Sequence, residues 1–412
     1  MIVLKKKIVL LSYIFLAISF FFLPIKTSLS NFGIIGLLIF TILSLKKKGY
    51  RRTKSVFSSF FLKSSFIIAL PICFGLIYAP NLKEGFDEII KALFLFLLPI
   101  VIFRRDLNKE TSIKVMSNSL ILGCLSACLP LLSINIYEFL ISDFKLIKIF
   151  SSDFTGFRFL EPLNNKLHPI YVGSYFNLAI IFILFNKTKL RLGIKILAII
   201  ILLLSIIFLN SRIILLSTFI TFVIYSINHL QSKVILISSI FIAVLAITAY
   251  PYLKKTYIYN KAINGTIWEL QNNIGTHNTD TKTTSDSRMS RWISGWEVFL
   301  EKPILGYGSG SEILVLSKKY KENNMSRSLS QAYNSHNQFL SYLIKFGIFG
   351  IILLMTFFIY NIVTSFKEKD LCQFSFYCML FLIFLIENYI DRNMGINLVA
   401  LVISVFLINK ND

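Results

Sequence analysis

Groups that bind metals are scarce along this chain. Its 412 residues include five cysteines and four histidines. Cys73, Cys124, Cys128, Cys372 and Cys378 all lie inside apolar stretches. Cys124 and Cys128 share a helix face, but no histidine or carboxylate lies near enough in sequence to complete a metal set, so membrane packing accounts for them. His-Glu-x-x-His is absent, as is an Asp-x-Asp pair in any outer loop, and neither a metal nor a cofactor is expected. Gly306, Gly308 and Gly310 form a G-x-G-x-G run, but no strand-like segment precedes it, so it reads as a structural turn rather than a nucleotide site. No small-residue cleavage site follows the first apolar stretch, which is therefore expected to stay as an uncleaved first helix. Long polar sequence is rare too. It is confined to a segment of about 251–335 and a shorter one of about 141–168.

What the chain does have is hydrocarbon. Hydrophobic residues make up 55%, with 40 phenylalanines. They come in blocks of roughly 20 residues, the length that crosses a bilayer core. The expected fold is all-α: a polytopic integral membrane protein with about twelve transmembrane helices and one long outer loop carrying short helices. Residues 1–250 would hold the first nine helices, the ninth at about 233–250. Residues 251–335 would form the long loop, and 336–412 the last three helices, at about 337–364, 371–388 and 394–408.

The net charge of +22 would suggest nucleic acid on a soluble protein. Here the basic residues crowd into short links beside apolar spans, where they set topology, and no nucleic-acid motif accompanies them. Placing Lys5, Lys6 and Lys7 in the cytoplasm also puts the basic links 46–54, 104–114, 187–195 and 365–370 there. The opposite links, 24–31, 80–85 and 389–393, carry only Lys26, Lys83 and Arg392. Both termini are then cytoplasmic. The 141–168 loop, the Asn210-Ser211-Arg212 link, the long loop and His336 all fall on the outer face.

Those outer features hold the candidate chemistry. Arg212 sits between two very apolar stretches, where an arginine needs a partner or an anionic ligand; a helix-end arginine reaching for water is the alternative. Arg288 and Arg291, three residues apart, fall on one face of a short helix that Asp286 or Ser287 would cap and Pro303 would limit. Their planar guanidinium forks match phosphate oxygens. Pairing of these arginines with Asp286 or Glu297 is the competing reading. Trp292 and Trp296, four apart, would lie together on an apolar face at the membrane interface. His336, capped by Ser335 or Asn334, would occupy the first turn of the tenth span. The helix dipole there would keep its imidazole neutral, as a general base requires. His168, at the start of the sixth span, competes for the role, and Asn337 is a further candidate, either for contacting the acceptor or as an alternative base.

These residues carry a resemblance. Arg288-x-x-x-Trp292, Pro303 to Gly310 (P-I-L-G-Y-G-S-G) and Ser335 to Gly350 (S-H-N-Q-F-L-x-x-L-x-x-x-G-x-x-G) together resemble the bacterial O-antigen ligase / O-antigen polymerase family. Asn210-Ser211-Arg212 resembles its Ser-Arg element, and His168-Pro169-Ile170-Tyr171 its His-Pro-x-Tyr element. The likeness spans roughly Leu160 to Gly350. It implies a membrane-embedded, metal-independent, inverting GT-C-type glycosyltransferase in the bacterial inner membrane, with the outer face in the periplasm. The donor would be a glycan on undecaprenyl pyrophosphate. The acceptor would be lipid A–core for a ligase, or a second lipid-linked repeat for a polymerase. Carried over, Arg212 and one or both of Arg288 and Arg291 would hold the pyrophosphate, and His336 would deprotonate the acceptor. A flippase or transporter would show paired broken helices and polar residues at mid-membrane. No such pairing is visible, and the polar residues gather at one face.

Overall fold

Apolar helices dominate the computed structural model, which describes residues 2–43, 60–103, 107–142, 149–163, 167–185, 191–232, 254, 256–278 and 283–408. The helices of the membrane region are α1 (Ile2–Phe22), α2 (Thr27–Leu43), α3 (Phe66–Gly75), α4 (Leu82–Phe103) and α5 (Lys109–Leu140). After a short α6 (Phe157–Leu160) come α7 (Pro169–Phe185), α8 (Leu192–Leu209) and α9 (Arg212–His229). α7 begins at His168-Pro169, where the sixth span was expected, and α6 adds one turn inside the 141–168 loop. Among the described residues, Lys109–Leu140, Leu192–Leu209, Arg212–His229 and Gln338–Lys367 are long and apolar enough to cross a membrane, and six shorter apolar helices accompany them. The ninth expected span, about 233–250, lies outside the described residues, as do the basic link 46–54 and Arg104-Arg105.

The core is built around α7 and a late helix, α17 (Asn393–Phe406). Every residue of α7 from Pro169 to Ile183 is buried, as is every residue of α17 from Met394 on. Helices apolar on all sides belong in the middle of a bundle. Pro169 takes the first position of α7, where the amide it lacks would have had no helical partner. Beside α7, α9 runs parallel. A Cβ on Gly173 would meet Ile214 at 2.9 Å. One turn on, the Asn177 amide donates to Ser217 Oγ at 3.0 Å, and Thr221 Oγ1 donates to Asn177 Oδ1 at 3.4 Å. Contacts advancing together along both helices mean that their starts, at His168 and Arg212, lie at the same end of the bundle.

The 149–163 segment covers that end. Phe157 packs edge-on against His168 at 5.0 Å. The Asn210 amide donates to Thr155 Oγ1, and the Gly156 amide to the Phe208 carbonyl at 2.8 Å. Asn210 ends α8 with φ of 49°, a left-handed conformation that asparagine tolerates. The tight turn that results feeds directly into α9.

Between α9 and the last helices lies the cap: α10 (Tyr257–Ala262), α11 (Asn264–Leu270), α12 (Arg288–Glu301), α13 (Glu312–Glu322) and α14 (Ser326–Ser330). It includes the one departure from an all-α fold among the described residues, an antiparallel ladder of β1 (Thr276–Asn278) and β2 (Thr283–Ser285). Ser287 caps α12 by accepting from the Ser290 amide, and the helix ends just before Pro303, as the sequence suggested. Val298, Leu316, Tyr320 and Met325 of the cap form a small core with Leu340 and Ile344. Those last two belong to α15 (Gln338–Lys367), which α16 (Leu371–Phe384) follows before α17.

α15 is broken at Gly347 (φ 60°, ψ −154°). Broken helical backbone inside a membrane protein needs substitute partners. The Pro303–Gly310 turn supplies them. The amides of Tyr307 and Gly308 donate to the carbonyls of Ile344 and Lys345 at 3.0 and 2.7 Å, and the Ile348 amide donates to Pro303 O at 2.8 Å. Backbone approaches backbone so closely that a Cβ on Gly308 would meet the Gly75 carbonyl at 2.6 Å. The glycine run is thus a structural turn, locked into the break.

Candidate active site

His336 does not lie in the first turn of α15. Asn337 is the cap, its Oδ1 accepting from the amides of Phe339 and Leu340 at 3.0 and 3.1 Å. His336 precedes the cap with φ of 49°, a left-handed backbone unusual for a bulky side chain and enriched at functional positions. His336 therefore lies outside the helix rather than in its first turn. Asn337 thus serves the helix through its side-chain oxygen, and its backbone amide donates to Asn388 Oδ1 at 2.8 Å.

The partner of His336 is a carboxylate. Its Nδ1 lies 3.3 Å from Oε2 of Glu387, which is 2% exposed against 21% for the histidine. Burial alone would raise the Glu387 carboxyl. The hydrogen bond from His336, with the charges of His336, His168 and Arg392, outweighs burial and brings it down to about 2. An ionised carboxylate can only accept, so Nδ1 carries the hydrogen and the Nε2 lone pair of the neutral ring is left open. That is the tautomer a general base needs, and the left-handed backbone holds it between the cap and the α16–α17 link.

His168 is built the other way round. Its Nδ1 accepts from the Ile170 amide at 3.3 Å. The neutral ring must then carry its hydrogen on Nε2, which makes it a donor rather than a base. Burial depresses its imidazole to about 4; Glu387 opposes this, while Arg392, His336 and Arg288 reinforce it. The same interactions show that His168, His336, Glu387, Arg392 and Arg288 share one electrostatic neighbourhood. With Arg212 at the same end of the bundle, the structure gathers the expected site residues at one face.

Arg291 is the exception. It is buried, and its side chain is held by Glu269 at 3.9 Å, the Asp286 carbonyl at 3.3 Å and the Tyr333 ring at 5.1 Å. Burial lowers its guanidinium, and Glu269 acts against that. Of the two arginines on α12, it is the structural one. Arg288 begins the helix, half-buried, and among the described residues its guanidinium has no ion pair. The competing pairing with Asp286 or Glu297 does not form: the Asp286 carboxylate is taken up by Gly275 and Ser328, and Glu297 by Asn323 and Lys319. The tryptophans part as well. Trp292 turns inward and donates to the Ser335 carbonyl at 3.0 Å, whereas Trp296 is exposed.

Beneath the site lies a buried polar network. Glu312 Oε1 accepts from the Ser335 amide and hydroxyl at 3.0 and 2.7 Å, and Oε2 from Ser341 and Asn388 at 2.7 and 2.8 Å. Lys345, 2% exposed, pairs with Glu88 at 2.7 Å and Asp391 at 3.2 Å. These bonds tie the glycine turn, the Ser335–Asn337 segment and the Glu387–Arg392 link into one frame. Unlike the expected site residues, Glu387 and Arg392 have no motif around them. The signal available was the stretch Glu387-Asn388-Tyr389-Ile390-Asp391-Arg392, polar and flanked by hydrocarbon. Arg392 is exposed, its guanidinium 6.0 Å from the Tyr171 ring centre.

Read against known proteins, residues 177–355 match the family model described as O-antigen ligase. No curated protein matches the chain.

Proposed function

From the match of residues 177–355 to the O-antigen ligase family model, we propose that the chain is a ligase-type glycosyltransferase of the bacterial inner membrane, working on the periplasmic face. It moves a glycan from undecaprenyl pyrophosphate to lipid A–core, without a metal and with inversion. The observation that carries this reading is the His336–Glu387 pair, which leaves a basic nitrogen open in the same electrostatic neighbourhood as Arg288 and Arg392.

In the proposed reaction His336 Nε2 takes the proton of an acceptor hydroxyl as its oxygen attacks the anomeric carbon. Glu387 holds Nδ1–H and stabilises the imidazolium that forms, the role an orienting carboxylate plays in catalytic triads. The bond from the anomeric carbon to the pyrophosphate oxygen breaks, and undecaprenyl pyrophosphate leaves. Arg288 and Arg212 bind that leaving group, and Arg392 joins them in place of Arg291. Fixed guanidinium groups aimed at developing phosphate charge lower the barrier without reorganising. His168, a donor at Nε2, contributes a hydrogen bond to the same anion. The membrane lipid is both solvent for the helices and the phase from which the donor arrives.

A polymerase of the same family needs the same donor chemistry and differs in its acceptor. The deciding experiment is transfer by the purified chain in lipid, given a lipid-pyrophosphate glycan and either lipid A–core or a second lipid-linked repeat. Product on lipid A–core supports the ligase reading. Elongation of the lipid-linked repeat alone would replace it with the polymerase, and turnover with neither would overturn the proposal.

A further inference from the structure

One face of α12 has no partner among the described residues. Ile293, Trp296 and Leu300, spaced three and four apart, are all exposed, Trp296 at 50%. The opposite face is buried: Val298 lies in the small core of the cap, and a Cβ on Gly295 would meet Leu340 at 2.8 Å. Past Glu301 the chain does not return to polar sequence. Ile304 and Leu305 are exposed as well, Ile304 at 71%.

This stripe is continuous with hydrocarbon surface already assigned to lipid. The Phe349 amide donates to the Ile304 carbonyl at 3.4 Å, just past the break in α15. Phe349 and Ile352 are exposed on the same membrane-crossing helix, and Phe349 packs edge-on against Phe74 of α3 at 6.2 Å. Thus the exposed apolar surface runs from α15, through the Ile304–Leu305 corner, onto α12. A soluble cap held clear of the membrane would leave this surface in water at a cost proportional to its area. A membrane boundary removes that cost and favours an exposed tryptophan at the headgroup level.

We propose that α12 is an interfacial helix: Ile293, Trp296, Leu300, Ile304 and Leu305 lie in the boundary between headgroups and acyl chains, seating the cap on the leaflet that α15 enters. The helix then lies along the bilayer surface with Arg288 at its first position, at the depth where lipid phosphates sit. That consequence rests on the reading of the site; the seat itself does not.

The test compares the wild-type chain with Trp296→Phe, each reconstituted in phosphatidylcholine bilayers brominated at the 6,7 or the 11,12 acyl positions. Subtracting the two emission signals isolates Trp296 without disturbing Trp268 or Trp292, and the exposed substitution leaves the fold intact. The expected result is at least twofold quenching of the Trp296 signal by 6,7-dibromo lipid, weaker quenching by 11,12-dibromo lipid, and poor access to acrylamide. Quenching by acrylamide but by neither bromolipid would put the face in water and overturn the proposal. Shielding from both would mean that protein covers the face, and would overturn it equally. Because the readout contains no glycosyl transfer, its failure and a failure of the proposed reaction are distinguishable.

Discussion

Replacing Glu387 by Gln removes one charge from beside His336 and keeps the size of the side chain. The carboxylate lies 3.3 Å from Nδ1 and is almost fully buried. A unit charge pair at that distance attracts by about 5 kcal/mol at an effective dielectric of about 20. If the imidazole has gained roughly half a proton in the transition state, about 2–3 kcal/mol of that attraction is lost, or about 10²-fold in kcat. A glutamine that turns its amide hydrogens toward Nδ1 would also invert the tautomer and close Nε2 as a base, which can only deepen the loss. Donor affinity should hardly change, because the phosphate contacts lie on other residues. Single-turnover transfer from a labelled lipid-pyrophosphate glycan separates these effects. A kcat within twofold of wild type would refute the orienting role. So would a loss of kcat that appeared only alongside a matching fall in thermal stability.

Arg288→Lys should weaken donor binding by about tenfold or more, since it loses the planar fork that matches phosphate, while leaving thermal stability unchanged; equilibrium binding of the lipid-pyrophosphate donor and a melting curve report both. Arg291→Lys should do the reverse, lowering stability by roughly 1–3 kcal/mol through its buried contacts with Glu269 and Tyr333, with donor affinity retained in the folded fraction. Glu312→Ala strips the acceptor from Ser335, Ser341 and Asn388 together and should cost about 3 kcal/mol or more, read as a lower melting temperature and faster proteolysis between Gly310 and Gln338. The folded chain binds the His168 proton only near pH 4, whereas the unfolded chain binds it near 6.5. This histidine therefore destabilises the fold progressively as pH falls through that interval, and His168→Gln should lose less stability than wild type between pH 6.5 and 4.

The membrane class and the gathering of candidate residues at one end were legible because both rest on local signals. Hydrocarbon blocks read as helices wherever they fall. Arg288 and His336 stood out because they sit in or beside the longest polar segment. What stayed hidden depended on register and on contacts distant in sequence. Spacing puts Arg288 and Arg291 on one face, but it does not reveal that α12 begins at Arg288, with one guanidinium left at the helix end and the other carried beneath Tyr333. The cap of α15 fell to Asn337, not Ser335 or Asn334, because the Asn337 carboxamide reaches two amides at once, and that shift along the chain took His336 out of the helix. Glu387 lies 51 residues from His336, and Lys345 lies 257 from Glu88. No periodicity links such pairs; only the packing of α4, α15 and the α16–α17 link brings them together.

The central claim is that His336, and not His168, removes the acceptor proton. The direct measurement is the transfer rate of His336→Ala and His168→Ala, alongside equilibrium binding of the lipid-pyrophosphate donor to each. His336→Ala should lose about 10²- to 10⁴-fold in transfer while binding the donor nearly as well as wild type, because the arginines proposed to hold the pyrophosphate remain. His168→Ala should keep its base and lose no more than about tenfold, through the missing hydrogen bond to the anion. Near-normal turnover in His336→Ala with collapse in His168→Ala would contradict the assignment. Near-normal turnover in both would place the whole of catalysis on the arginines.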